Sequence, residues 1–100
     1  MVTIEQLKRV ISPLCEKYEI AYVDAFGSIA RSEQTQQSDI DLIIEFSEPR
    51  KDRISRRFFG FLHDVEDQFD SRVDLLTENS IRNPFLKEKI DQDRIRIYGD

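Results

Sequence analysis

Gly27, Ser28, Asp39, Asp41 and Asp74 are the residues whose types and spacing point to chemistry. Asp39 and Asp41 open an alternating run, DIDLIIEF, in which Ile40, Leu42, Ile44 and Phe46 face one way and Asp39, Asp41, Ile43 and Glu45 the other. In an extended strand, residues two apart share a side, with Cα atoms roughly 7 Å apart. Both carboxylates can therefore reach cations placed between or beside them. Magnesium takes carboxylate oxygens and completes its shell with water or substrate phosphates. Asp74 belongs to a second short run, RVDLLT, with Val73 and Leu75 on its opposite face. If the two runs are neighbouring strands, the three acids converge. Three carboxylates can hold two metal ions about 3.5–4 Å apart, the arrangement used for in-line phosphoryl transfer.

Gly27 and Ser28 supply a complementary half. They follow an apolar run, Ile20 to Phe26, and stand at a turn into a short polar segment. Glycine allows close backbone approach to a phosphate. The N–H groups of a helical start attract anions, and a serine hydroxyl adds a donor. Arg31, one turn further on, could reach the same phosphates with its forked guanidinium. Taken singly, each feature has a plain reading: a solvated D-x-D face, an outward aspartate on a half-exposed strand, a simple turn. The combination of Gly-Ser, ten residues and Asp-x-Asp is rarer, on the order of one in a thousand by chance for a chain this short.

These residues need a sheet to hold them. A stripe of Ile4, Leu7, Val10, Ile11, Leu14 and Tyr18 predicts a first helix, opened by a capping box from Thr3 and Gln6 and kinked or split at Pro13. Strands are predicted over 20–26 and 39–46, with the polar segment 27–38 between them. A long helix follows over about 51–69, with Gly60 inside its buried stripe, then a strand over 72–77. Asn83 and Pro84 read as the N-cap and first residue of a helix to about Gln92, and Arg94 to Tyr98 as a last short strand. The fold class is α/β (α+β): helices packed on a small mixed sheet, with residues 1–100 as one domain.

Composition narrows the partners. The net charge of -5 argues against non-specific DNA binding and is compatible with holding cations. No run is long enough for a membrane span, the N-terminus is amphipathic rather than a signal peptide, and Cys15 is the one cysteine, so a cytoplasmic location is expected. Cys15 reads as core packing, His63 as a surface helix residue, and Tyr22 and Tyr98 as packing residues. Arg50, Lys51, Arg53, Arg56 and Arg57 form a basic cluster, read as a solvated helix face partly paired with Asp52; a contact surface for an acidic partner or nucleotide is the sharper reading.

The segment GSIARSEQTQQSDIDL, together with VDLLT, resembles the signature of the DNA polymerase beta-like nucleotidyltransferase superfamily. The short length resembles its minimal nucleotidyltransferase (MNT) group, and the similarity runs from the first helix to IRIY. The resemblance implies that Asp39, Asp41 and Asp74 coordinate magnesium and that Gly27 and Ser28 hold the nucleotide phosphates, with Arg31 where the family commonly has an arginine. Ser32 departs from a frequent glycine, which would alter the loop if that position requires positive φ. The resemblance further implies ATP as substrate and a HEPN-domain toxin as partner in a hetero-oligomer. The chain would be the antitoxin, transferring AMP to a tyrosine of that toxin. Neutralisation by binding alone and a small-molecule nucleotidyltransferase subunit are the alternatives.

Overall fold

The structure, a computed structural model, describes residues 2–33, 39–48 and 53–99. Helix α1 (Ile4–Tyr18) opens as its sequence requires. The Gln6 N–H donates to Thr3 Oγ1 at 3.1 Å and the Thr3 N–H to Gln6 Oε1 at 2.9 Å, a reciprocal capping box. Leu7, Ile11 and Cys15 form its buried stripe. Of the two outcomes expected at Pro13, a kink or a split, the split does not occur: α1 continues to Tyr18. Pro13 and Arg9, whose carbonyl loses its helical donor, are both exposed, so water can serve that carbonyl. The helix ends at Glu19, whose left-handed backbone (φ 57°) turns its N–H onto the carbonyls of Cys15 and Glu16.

Four strands form one sheet: β1 (Ile20–Phe26), β2 (Ile40–Phe46), β3 (Val73–Thr77) and β4 (Ile95–Tyr98), in the order β3-β2-β1-β4. β1 pairs antiparallel with β2 and β4, whereas β2 and β3 run parallel. A parallel pair needs a crossover, and helix α2 (Ile54–Phe69) supplies it. Strand alternation gives the sheet two unlike faces. Val23, Ala25, Ile40, Leu42, Ile44, Val73, Leu75 and Ile97 build the main core with α1 and α2. Gly60 lets those helices close: a Cβ there would lie 2.7 Å from the Tyr18 ring.

The second face carries a smaller apolar cluster, Phe26, Ile43 and Ile90, with Leu76 and Ile81 packed against it. Ile90 comes from α3 (Pro84–Asp93), which Asn83 caps by accepting from the N–H groups of Phe85 (2.9 Å) and Leu86 (3.4 Å). A short 3-10 turn at Glu78–Ser80, not anticipated from the sequence, links β3 to this region. The architecture is the expected one, three helices packed on a small mixed sheet. No helix among the described residues is long and apolar enough to cross a membrane.

The basic cluster divides. Arg50 and Lys51, like Asp52, lie outside the described residues. Arg57 is not a solvated face residue: its guanidinium donates to the backbone carbonyls of Tyr18 (3.0 Å) and Glu19 (3.1 Å) and stacks on Phe46 at 4.6 Å. It serves the end of α1, because the last carbonyls of a helix lack intrahelical donors.

Candidate active site

Register places the acids. Asp41 of β2 lies opposite Phe26 of β1 on one side and opposite Asp74 of β3 on the other. Ile43 and Leu76, two residues along from these acids, both pack in the smaller cluster, so Asp41 and Asp74 share that face. Asp39 stands just ahead of β2, where the Ile40 N–H donates to the Arg72 carbonyl at 3.0 Å and holds the two strand starts together. Asp39 and Asp74 are exposed, and Asp41 is half-buried. The Asp41 pKa is pushed up to about 6, first by burial and then by the charges of Asp74 and Asp39, with Arg31 pulling the other way. The three acids expected to act together are thus electrostatic neighbours. Among the described residues, no three acidic, histidine or cysteine side chains are drawn in close enough to form a ready-made metal cage.

Gly27 ends β1 with φ +71°, a conformation that disfavours any side chain, and a Cβ there would lie 2.3 Å from Asp41 Oδ2. Glycine is therefore required twice, for the turn and for the carboxylate packed against it. The chain then makes a hydrogen-bonded turn: the Arg31 N–H donates to Gly27 O at 3.2 Å and the Glu33 N–H to Ser28 O at 2.9 Å. Ile29, 2% exposed, anchors this turn in the main core. Residues 34–38 of the polar segment lie outside the described residues.

Ser32 has φ +58°, so the position does require a left-handed backbone, and the serine adopts it. Left-handed geometry costs a residue with a Cβ roughly 1–2 kcal/mol, partly offset by the extra chain entropy glycine loses on folding. Ser32→Gly is expected to raise stability by about 0.5–1 kcal/mol, read as a melting temperature a few degrees higher. An unchanged or lower value would show that the serine side chain has a stabilising role of its own.

Arg31 lies across the cleft from α3. Its Nη1 meets Asp93 Oδ2 at 2.9 Å and its Nε meets Glu33 Oε2 at 3.1 Å. The cleft encloses about 320 Å³, with Gly27, Ser28, Arg31 and Asp41 on one side and Leu86, Lys89, Ile90 and Asp93 of α3 on the other. All the residues singled out for phosphate contact, and the central acid, therefore line one cavity. Lys89 and Asp93 were missed from sequence, because on an isolated helix they read as a solvated face.

A second polar group shares the sheet face. Asp24, 3% exposed, accepts from Arg94 Nε at 2.8 Å and Arg96 Nε at 2.5 Å. Arg94 also pairs with Glu78 and, at 2.8 Å, with Asp91. The Tyr22 hydroxyl donates to Glu78 at 2.9 Å, and Arg96 stacks on the Tyr22 ring at 4.5 Å. These pairs tie β1, β4, α3 and the 3-10 turn together. The tyrosine is pushed up to about 12 by burial and by Glu78, consistent with a packing role. Tyr98 packs against the main core. Cys15 is buried, its thiol pushed up to about 12 by burial, which removes it as a nucleophile. His63 is exposed on α2, the helix covering the opposite sheet face, with Glu66 Oε1 3.9 Å from its Nδ1.

Comparison with known proteins agrees with this geometry. A model of the nucleotidyltransferase domain matches residues 7–97. A Methanocaldococcus jannaschii protein described as a candidate protein adenylyltransferase is 38% identical over 101 residues, covering 97% of this chain and all of that one. A solved structure described as a candidate minimal nucleotidyltransferase is 28% identical with a TM-score of 0.74, covering 94% of this chain and 95% of that one. A complex of a tri-AMPylated Shewanella oneidensis HEPN toxin with an MNT antitoxin shares the fold at 16% identity and a TM-score of 0.67, covering 98% of this chain and 74% of the matched one. With a domain match across most of its length and a near full-length relative above a third identity, the chain belongs to the nucleotidyltransferase family.

Proposed function

We propose that this nucleotidyltransferase is an antitoxin that transfers AMP from ATP to a tyrosine of a partner HEPN toxin, with magnesium. The observation that carries the reading is the register pairing of Asp41 with Asp74, with the Asp41 carboxylate packed against Gly27. The donor set fits a hard cation. It presents three carboxylates, and burial together with the charges of Asp74 and Asp39 raises the pKa of the third, Asp41, to about 6. Asp39, Asp41 and Asp74 would hold the magnesium, which when bound supplies the positive charge that activates the attacking oxygen and neutralises the leaving pyrophosphate.

The remaining work falls to this chain's own groups. The backbone at Gly27 admits the phosphates closely, and the Ser28 hydroxyl and the first N–H groups of the turn donate to them. Arg31 exchanges its carboxylate partners for phosphate oxygens. Asp74 lies on the edge strand β3 and is exposed, so it meets an acceptor arriving from outside. The tyrosine oxygen bonds to the α-phosphorus as the bond from that phosphorus to the pyrophosphate oxygen breaks, and the phenolic proton passes to Asp74. The M. jannaschii relative supports AMP as the transferred group, and the S. oneidensis complex supports a HEPN toxin as acceptor. A reaction that consumes ATP would take place in the cytoplasm, where ATP is available.

The test mixes the purified chain with its HEPN partner, magnesium and ATP labelled at the α-phosphate. Label is expected on the toxin, absent when the acceptor tyrosine is replaced by phenylalanine. Inhibition of the toxin with no label transferred would establish neutralisation by binding alone and overturn the enzymatic reading.

A further inference from the structure

We infer that Lys89 of α3 is a contact for the triphosphate tail of the nucleotide, which makes α3 the second wall of the nucleotide site; the inference rests on the function proposed above. Lys89 lines the same cleft as Gly27, Ser28, Arg31 and Asp41. Helical spacing puts it on one stripe with Leu86 and Asp93, both of which line that cavity.

Charge accounting singles it out. Among the described residues, the basic ones lining the cleft are Arg31 and Lys89. Arg31 is already engaged by two carboxylates, those of Asp93 and Glu33. A helical lysine can turn to an acid four residues on, as Lys87 does to Asp91, 2.9 Å away. Lys89 has Asp93 at that same spacing, but Asp93 is drawn across the cleft to Arg31. Among the described residues Lys89 makes no ion pair, so this residue of the cleft wall keeps its charge unspent. A magnesium–triphosphate complex remains anionic, whereas the far side of the cleft holds Asp41 with Asp39 and Asp74 near it. The phosphates distal to those acids need a cation that is not already neutralised, and among the described residues of this cleft Lys89 is that cation. A bare ammonium suits a phosphate tail, which requires charge rather than a fixed fork.

Calorimetric titration of the whole chain with magnesium and α,β-methylene-ATP, and with AMP by competition, tests this. Lys89→Ala is expected to weaken the triphosphate analogue about tenfold while leaving AMP within about twofold, because AMP lacks the phosphates concerned. Lys89→Arg is expected to restore most of the affinity. Lys87→Ala, which removes a lysine already paired on the same helix, is expected to change neither. Unchanged triphosphate affinity in Lys89→Ala would overturn the inference, as would an equal loss for AMP. A wild-type chain that bound neither nucleotide would instead overturn the functional reading, and this inference with it.

Discussion

Asp41→Asn is expected to make the protein more stable at pH 7.5 while abolishing nucleotidyl transfer. The Asp41 carboxyl is raised from 3.8 to about 6 by burial and by Asp74 and Asp39. A carboxyl raised in the folded state binds its proton more tightly there than in the unfolded chain. Its favourable contribution is therefore complete below the unfolded value and is lost as pH rises through about 6. Above that, the ionised group opposes folding. The full shift corresponds to about 3 kcal/mol, which solvent at a half-exposed group reduces to roughly 1–2 kcal/mol. Asparagine keeps the shape beside Gly27 and removes the charge. Without magnesium, the variant should melt several degrees above wild type at pH 7.5, with the gap closing toward pH 4. Adding magnesium should raise the melting temperature of wild type and not of the variant. Transfer should fall by at least about a hundredfold, since a site that neutralises a developing charge loses one of its holders. A variant no more stable than wild type at pH 7.5, or one that transfers label at close to the wild-type rate, would contradict this account of the site.

Asp24→Ala should have the largest effect on folding. Asp24 is 3% exposed and holds two guanidinium groups, Arg94 at 2.8 Å and Arg96 at 2.5 Å. Breaking a buried pair by removing one partner costs about 3–5 kcal/mol, because it strands charge away from water. Arg94 keeps Glu78 and Asp91, which places the expected loss near the lower figure, about 3 kcal/mol. For a chain this short that is a substantial share of total stability, equivalent to a fall of ~12–24 °C in melting temperature. Asp24→Asn should cost less, since its amide oxygen still accepts a hydrogen bond. Denaturant midpoints of the variants would measure both. A loss below about 1 kcal/mol for Asp24→Ala would mean the arginines find water as readily as they found the carboxylate.

Much of this protein is written in short-range patterns. The capping box at Thr3, the alternation of β2, the cap at Asn83 and the Gly-Ser to Asp-x-Asp spacing are decided by neighbours within a few residues, so they are legible in sequence. The need for positive φ at Ser32 was legible as a conditional, and the structure shows the condition is met. Where a local pattern left a choice open or misled, the surroundings decided. Pro13 stays within α1 because its side is open to water, and Arg57 leaves the basic face because the end of α1 lies within its reach.

By itself, then, the chain's sequence determined the main helices and strands, their unlike faces and the candidate acids with the Gly27–Ser28 turn, because periodicity and turn chemistry act over one or two turns of chain. Only the tertiary structure decided that β3 lies parallel beside β2, which brings Asp74 into register with Asp41 across more than thirty residues of sequence. The same is true of the α3 wall: Arg31 meets Asp93 across 62 residues, and Asp24 meets Arg94 across 70. Such contacts depend on which strand edges pair and which helix covers which face. Those choices are made by burial of the whole apolar surface at once, and no local stretch of residues encodes them.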